Sequence, residues 1–169
     1  MPRQITPIAV PPLSYIAQQL AGAYFSDAYE VALENDDKTA LEIYLQSAAR
    51  PPRWVNACMA LRNRVVALVG LKNLGHLHAL AGGKAAGDYR PGDRVGIFSL
   101  LSVTDDEVIL GDSDKHLDVK VSVCKITRGT QHSVAFSTVV HIHNLLGRVY
   151  MLFITPMHKL IVRAVLRQV

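Results

Sequence analysis

With 169 residues, half of them hydrophobic and 19% charged, the chain is long enough for one domain with its own core and too apolar to be disordered. A formal net charge of +4 permits contact with anions but lacks the dense basic patch that nucleic acid requires, so no nucleic-acid partner is expected. The two cysteines, Cys58 and Cys124, do not make a disulfide framework, and the default expectation is a reducing, cytoplasmic setting.

Residues 1–13 hold Pro2, Pro7, Pro11 and Pro12 and are expected to run extended, ahead of a single domain over 14–169. The same prolines interrupt any apolar leader, so no signal peptide is expected. Residues 14–25 predict a short helix with Ser14 as N-cap. Asp27–Leu33 alternates and predicts a strand. Asn35-Asp36-Asp37 predicts a turn, followed by a helix over 38–49 with Leu41, Tyr44 and Leu45 on one side and Pro51-Pro52 as its stop.

Trp54–Leu71 is the longest helical pattern. Val55, Met59, Leu61, Val65, Val66 and Val69 recur at three- and four-residue spacing, with Arg62 and Arg64 on the other side. Trp54 is expected to anchor the core, and Cys58 to be inert packing. The Gly-rich stretch 72–92 is expected to be a loop. No run approaches the roughly 20 apolar residues of a spanning helix; the best, Val65–Leu71, is too short.

From Arg94 the period becomes two. Val95–Val103 and Glu107–Gly111 predict strands around a Thr104-Asp105-Asp106 turn, and His116–Ile126 and His132–His143 predict two more around Thr127–Thr130. Arg148–Ile154 reads as a further strand. Thr155-Pro156 reads as an N-cap with a first-turn proline, opening a last helix that buries Met157, Leu160, Ile161, Ala164 and Val165. Residues 94–154 are thus expected to form one antiparallel sheet packed on the helix from Pro156.

With Arg128-Gly129 as the turn centre, Val123 faces Val134, Val121 faces Phe136, Val119 faces Thr138 and Leu117 faces Val140, so apolar meets apolar. A two-residue slip preserves that match. The same register sets His116 against His141, and a turn centred on Leu145-Leu146 sets His141 against Tyr150, giving a polar row near Asp118 and His143. The order strand, two helices, antiparallel sheet and long C-terminal helix is that of an α+β, helix-grip-like fold, in which a curved sheet wraps the last helix.

The segments DAYEV (27–31), WVNACMALRNRVVALVGLK (54–72), RVGIF (94–98), GDSDKHLDVKVSV (111–123) and NLLGRVYMLFITPMHKLIVR (144–163) together resemble the bacterial family called domain of unknown function 2867. Val119 and Met157 stand where that family is expected to carry aromatic residues. The resemblance implies a fold similar to the lipid-transfer (START) and birch-pollen-allergen type, which commonly encloses an apolar cavity. It implies no established activity.

Three functions follow from these readings. The first is a binding domain for a small apolar or amphipathic molecule, held by Leu117, Val119, Val121, Phe136, Val140, Met151 and Phe153 between the sheet and the C-terminal helix. The second is an enzyme of the cyclase or hydratase kind, with Asp114, His116, His141 and Tyr150 as acid–base groups. The third is a structural or interaction module with a filled core. His116, His141 and His143 have spacing compatible with a metal, although a solvated polar face explains them as well. Lys159, Arg163 and Arg167 form a basic stripe at four-residue spacing, compatible with an anionic lipid surface and read first as the solvated face of a packed helix. No nucleophile elbow, phosphate loop, CxxC or GxGxxG is present, no cofactor is expected, and the oligomeric state stays open.

Overall fold

The computed structural model describes residues 4–49, 51–68 and 84–169. Residues 72–83 of the expected loop, and the expected helix end at Val69–Leu71, lie outside the described residues.

Among the described residues, seven strands and three α-helices follow one another in the order β1 (Ile5–Ile8), β2 (Phe25–Ala32), α1 (Ala40–Ala49), α2 (Arg53–Leu68), β3 (Arg94–Val95), β4 (Phe98–Val103), β5 (Glu107–Ser113), β6 (Leu117–Arg128), β7 (Gln131–Ile142) and α3 (Leu145–Leu166). All pairings are antiparallel and the spatial order is β1-β2-β7-β6-β5-β4-β3. This is the α+β, helix-grip-like arrangement expected from the sequence. The Pro-rich start carries the edge strand β1, paired with β2.

The first predicted helix is shorter than expected. Only Tyr15–Gln19 turns, as a 3₁₀ helix, and Ser14 donates its hydroxyl to the Pro11 carbonyl at 2.6 Å instead of capping. The cap comes from the sheet: the buried Glu107 carboxylate accepts from the backbone N–H of Tyr15 at 2.7 Å and of Ile16 at 3.3 Å. Ile16 is thereby pinned on Ile109 and Val139, on the outer face of the sheet. For α1, Thr39 and Glu42 form a capping box, each side chain accepting from the other's backbone N–H at 3.3 and 2.7 Å. In α2, Val55 and Met59 are buried, but Trp54 and Leu61 are exposed, so Trp54 is not the core anchor the sequence suggested.

The C-terminal third departs from the expected structure in two places. The β6–β7 register is Leu117↔Ile142, Val119↔Val140, Val121↔Thr138 and Val123↔Phe136, two residues from the expected one. Its parity is as expected, because an odd slip would expose the valine face. The turn centre is Gly129-Thr130, with Gly129 at φ 63° in the first central position, where a type II′ turn places glycine.

The second departure is larger. No strand runs over 148–154: residues 145–166 are one helix, capped by Asn144, whose side chain accepts from Gly147 N–H at 3.1 Å. Thr155 is not an N-cap; its hydroxyl donates to the Met151 carbonyl at 2.6 Å. Pro156 lies inside the helix on its exposed side, where the Leu152 carbonyl it leaves without an N–H can meet water. Read as one helix, residues 145–166 are long and apolar enough to cross a membrane by length and composition, contrary to the sequence reading.

The start of α3 is fixed by a close approach. A Cβ on Gly147 would lie 2.5 Å from the His116 carbonyl oxygen and 3.0 Å from the Ile142 side chain. Only glycine lets the helix begin against the β5–β6 connection. The main core forms on the inner face of the sheet, where Tyr29, Val31, Val108, Leu110, Val123, Val134 and Phe136 meet Leu41, Ile43, Tyr44 and Ala48 of α1 and Leu166 of α3.

Candidate functional site: a cavity between the sheet and α3

Cross-strand rows on the inner face set the chemistry of the wall. One row reads Phe25, Val140, Val119, Asp112 across four strands; the next reads Asp27, Thr138, Val121, Leu110; the third reads Tyr29, Phe136, Val123, Val108. The third row is core. Phe25, Val140, Val119 and Asp112 of the first row and Thr138 and Val121 of the second border open space beneath α3, and Phe136 borders it from the third. The result is a cavity of about 220 Å³. Phe25, Leu117, Val119, Val121, Phe136 and Val140 line it from the sheet, and Met151, Ile154, Met157 and Ile161 line it from α3.

Of the apolar residues expected at a binding site, Leu117, Val119, Val121, Phe136, Val140 and Met151 border this cavity. Phe153 does not: once 148–154 is helical rather than extended, Phe153 points outward and is 69% exposed.

The expected polar row does not form. His141 pairs with Asp118 rather than His116 and lies on the outer face, where its Nε2 is 3.1 Å from the Ala21 carbonyl oxygen. Buried His116 sits in the β5–β6 connection with its Nδ1 2.9 Å from Asn144 Nδ2, which donates to it. His143 Nε2 lies 3.0 Å from Asp118 Oδ2. The three histidines thus hold three separate partners. Among the described residues no cluster of three or more His, Cys, Asp or Glu side chains is placed to hold a metal ion. Burial alone would raise the Asp118 pKa, but hydrogen bonds from Ser113 and His143 bring it below the ordinary carboxylate value.

Asp114 and Tyr150 do border the cavity. Asp114 is occupied by its own loop, accepting from the backbone N–H of His116 at 2.7 Å and of Leu117 at 3.0 Å. Tyr150 reaches the wall from α3, and Arg62 of α2 donates through Nε to its hydroxyl at 3.0 Å, with the guanidinium 5.5 Å from the ring centre.

A second polar group at the wall was not anticipated. His158 of α3 borders the cavity; its Nε2 is 3.2 Å from Asp27 Oδ1, and Phe25 meets its ring edge-on at 5.7 Å. Asp27 is mostly buried, and its Oδ2 has no hydrogen-bond partner. On the same strand, burial holds the Tyr29 hydroxyl pKa above its ordinary value, with the nearby Asp27 charge adding to it. The signal for His158 was present: Ile154, Met157, His158 and Ile161 fall at i, i+3, i+4 and i+7, one face of a helix. Starting the helix at Pro156 hid that pattern. Neither cysteine belongs to the site: Cys124 lies toward β5, and burial, with the charges of Glu107 and Asp106, pushes its thiol up to about 11.

A family described as "Protein of unknown function (DUF2867)" matches residues 19–165. The chain belongs to that family. The match spans both walls of the cavity, from β2 to α3, so the resemblance noted in the sequence holds at family level. No curated protein and no solved structure matches this DUF2867 chain.

Proposed function

We propose that this DUF2867 protein binds a small apolar or amphipathic molecule in the cavity between the sheet and α3. The observation that carries the proposal is the open volume of about 220 Å³ behind a mostly aliphatic and aromatic wall, interrupted by Arg62, Asp112, Asp114, Thr138 and His158. An apolar cavity of roughly 150 Å³ already takes a benzene-sized guest, so one ring or a short chain fits here. That volume favours a binding role over a core filled by its own side chains. Such sites combine an apolar wall with a few placed polar groups. Here those groups include Tyr150, held by Arg62, and His158, held by Asp27 behind it, which suit a ligand with a polar end.

Native mass spectrometry of the protein purified from its own host tests this. A stoichiometric adduct of a small apolar or amphipathic compound is the expected result. A bare polypeptide mass, together with no uptake of added aromatic or short fatty compounds, would contradict it.

One observation supports a second reading, an enzyme. A mostly buried aspartate that orients a histidine at a cavity wall is an arrangement used for proton transfer. On this reading Asp27 and His158 replace the expected set of Asp114, His116, His141 and Tyr150, which the fold does not bring together. If the bound compound is recovered chemically changed by the wild type and unchanged by His158→Gln, this reading prevails; if both return it unchanged, the protein is a carrier.

A further inference from the structure

The cavity side of α3 carries Tyr150, Ile154, Met157, His158 and Ile161. Its opposite side is apolar too. Leu145, Val149, Leu152, Phe153 and Leu160 are 74, 47, 72, 69 and 60% exposed, and they fall at i, i+4, i+7, i+8 and i+15, a single helical stripe. A surface helix of a soluble domain needs one apolar face. A second one is an interaction surface.

Charge selects the partner. α2 carries Arg53, Arg62 and Arg64, and α3 carries Arg148, Lys159 and Arg163, while neither helix contains a single Asp or Glu. All the carboxylates of the chain lie in the sheet, in α1 and in the connections. Arg62 and Arg163 are engaged on the rings of Tyr150 and Tyr29, but Arg148 and Lys159 are exposed on the stripe side of α3. A second copy laid stripe to stripe would bring these cations together with no carboxylate from either helix to offset them.

We infer that the outer face of α3 docks on an anionic phospholipid surface. The leucines and Phe153 enter the acyl boundary, and Arg148 and Lys159 meet lipid phosphates. The helix lies along the surface and does not span it, because its inner face closes the cavity and Met151, Ala164 and Leu166 are buried. This inference rests on the exposed stripe and the charge distribution, and stands apart from the cavity proposal.

Co-sedimentation of the full chain with phosphatidylcholine vesicles, with and without phosphatidylglycerol, is the test. The protein should pellet only with the anionic vesicles and less so at high salt. Arg148→Gln and Lys159→Gln should each weaken binding about fivefold. Leu152→Ser combined with Phe153→Ser should abolish it while leaving thermal unfolding and dye uptake by the cavity unchanged, which separates this surface from the cavity. Failure to pellet with anionic vesicles, equal binding to phosphatidylcholine alone, or undiminished binding by the double variant would overturn the inference. So would a wild-type dimer in sedimentation velocity that the double variant dissociates, since the stripe would then be a contact between copies.

Discussion

Arg62 of α2 holds Tyr150 of α3 by a 3.0 Å hydrogen bond from Nε to the phenolic oxygen, and both side chains border the cavity. This pair ties the two helices together beside an apolar space. Tyr150→Phe keeps the ring and removes the acceptor. It is expected to cost about 0.5–1.5 kcal/mol in chemical denaturation and to speed dissociation of a cavity ligand that carries a polar end. An unchanged unfolding midpoint and unchanged ligand kinetics would show that the contact is idle.

Gly147 is where the helix meets the sheet's connection most closely. Gly147→Ala places a methyl 2.5 Å from the His116 carbonyl oxygen, which is backbone and cannot rotate away. The expected loss is about 1–3 kcal/mol, despite alanine's better helix propensity. A stabilised variant in thermal unfolding would mean that α3 does not start against that connection.

Phe136 is buried, but one side of it borders open space. Phe136→Ala is therefore expected near the low end of the usual range, about 3 kcal/mol. A loss below about 1 kcal/mol would place the residue outside the core.

Glu30 accepts hydrogen bonds from Arg128 and Ser133, and the Arg128 bond is the main cause of a pKa below the ordinary 4.5. A carboxyl whose pKa is lower folded than unfolded stabilises the fold fully above its unfolded value, and that contribution is lost as pH falls through the folded value. The effect is modest because Arg128 is largely exposed. The stability of the wild type should therefore fall on acidification below about pH 4.5 more steeply than that of Glu30→Gln. Parallel pH profiles from urea titrations of the two proteins would show that the pair contributes nothing.

The sheet was largely legible in the sequence because period-two alternation is a strong signal on a half-buried surface. The parity of β6 against β7 followed from the valine face, and the family could be recognised from segments such as GDSDKHLDVKVSV. The register itself could not be chosen between two turn centres that both keep the valines matched, and the choice of Arg128-Gly129 over Gly129-Thr130 overlooked where glycine sits in a II′ turn. That two-residue difference moved His141 from His116 to Asp118 and dissolved the polar row.

The last helix was misread for a different reason. A helix shows its period when one face is apolar and the other polar. In α3 the stripe from Leu145 to Leu160 is as apolar as the face lining the cavity, so the contrast vanishes and the β-branched and aromatic run VYMLFIT reads as a strand. The exposed stripe is thus what removes the helical contrast from this part of the sequence. His158 was lost with it, since its place at the wall depends on the helix beginning at Leu145 rather than Pro156.

A dye titration decides whether the space between sheet and helix takes a guest. An environment-sensitive naphthyl dye added to the folded protein should bind saturably at one site and be displaced by aromatic or short fatty compounds. Val119→Trp, which fills the space from the β6 wall, should abolish that binding without lowering the unfolding temperature, because the added ring occupies a void. Non-saturable fluorescence in both proteins, or saturable binding that survives Val119→Trp unchanged, would contradict binding in this space.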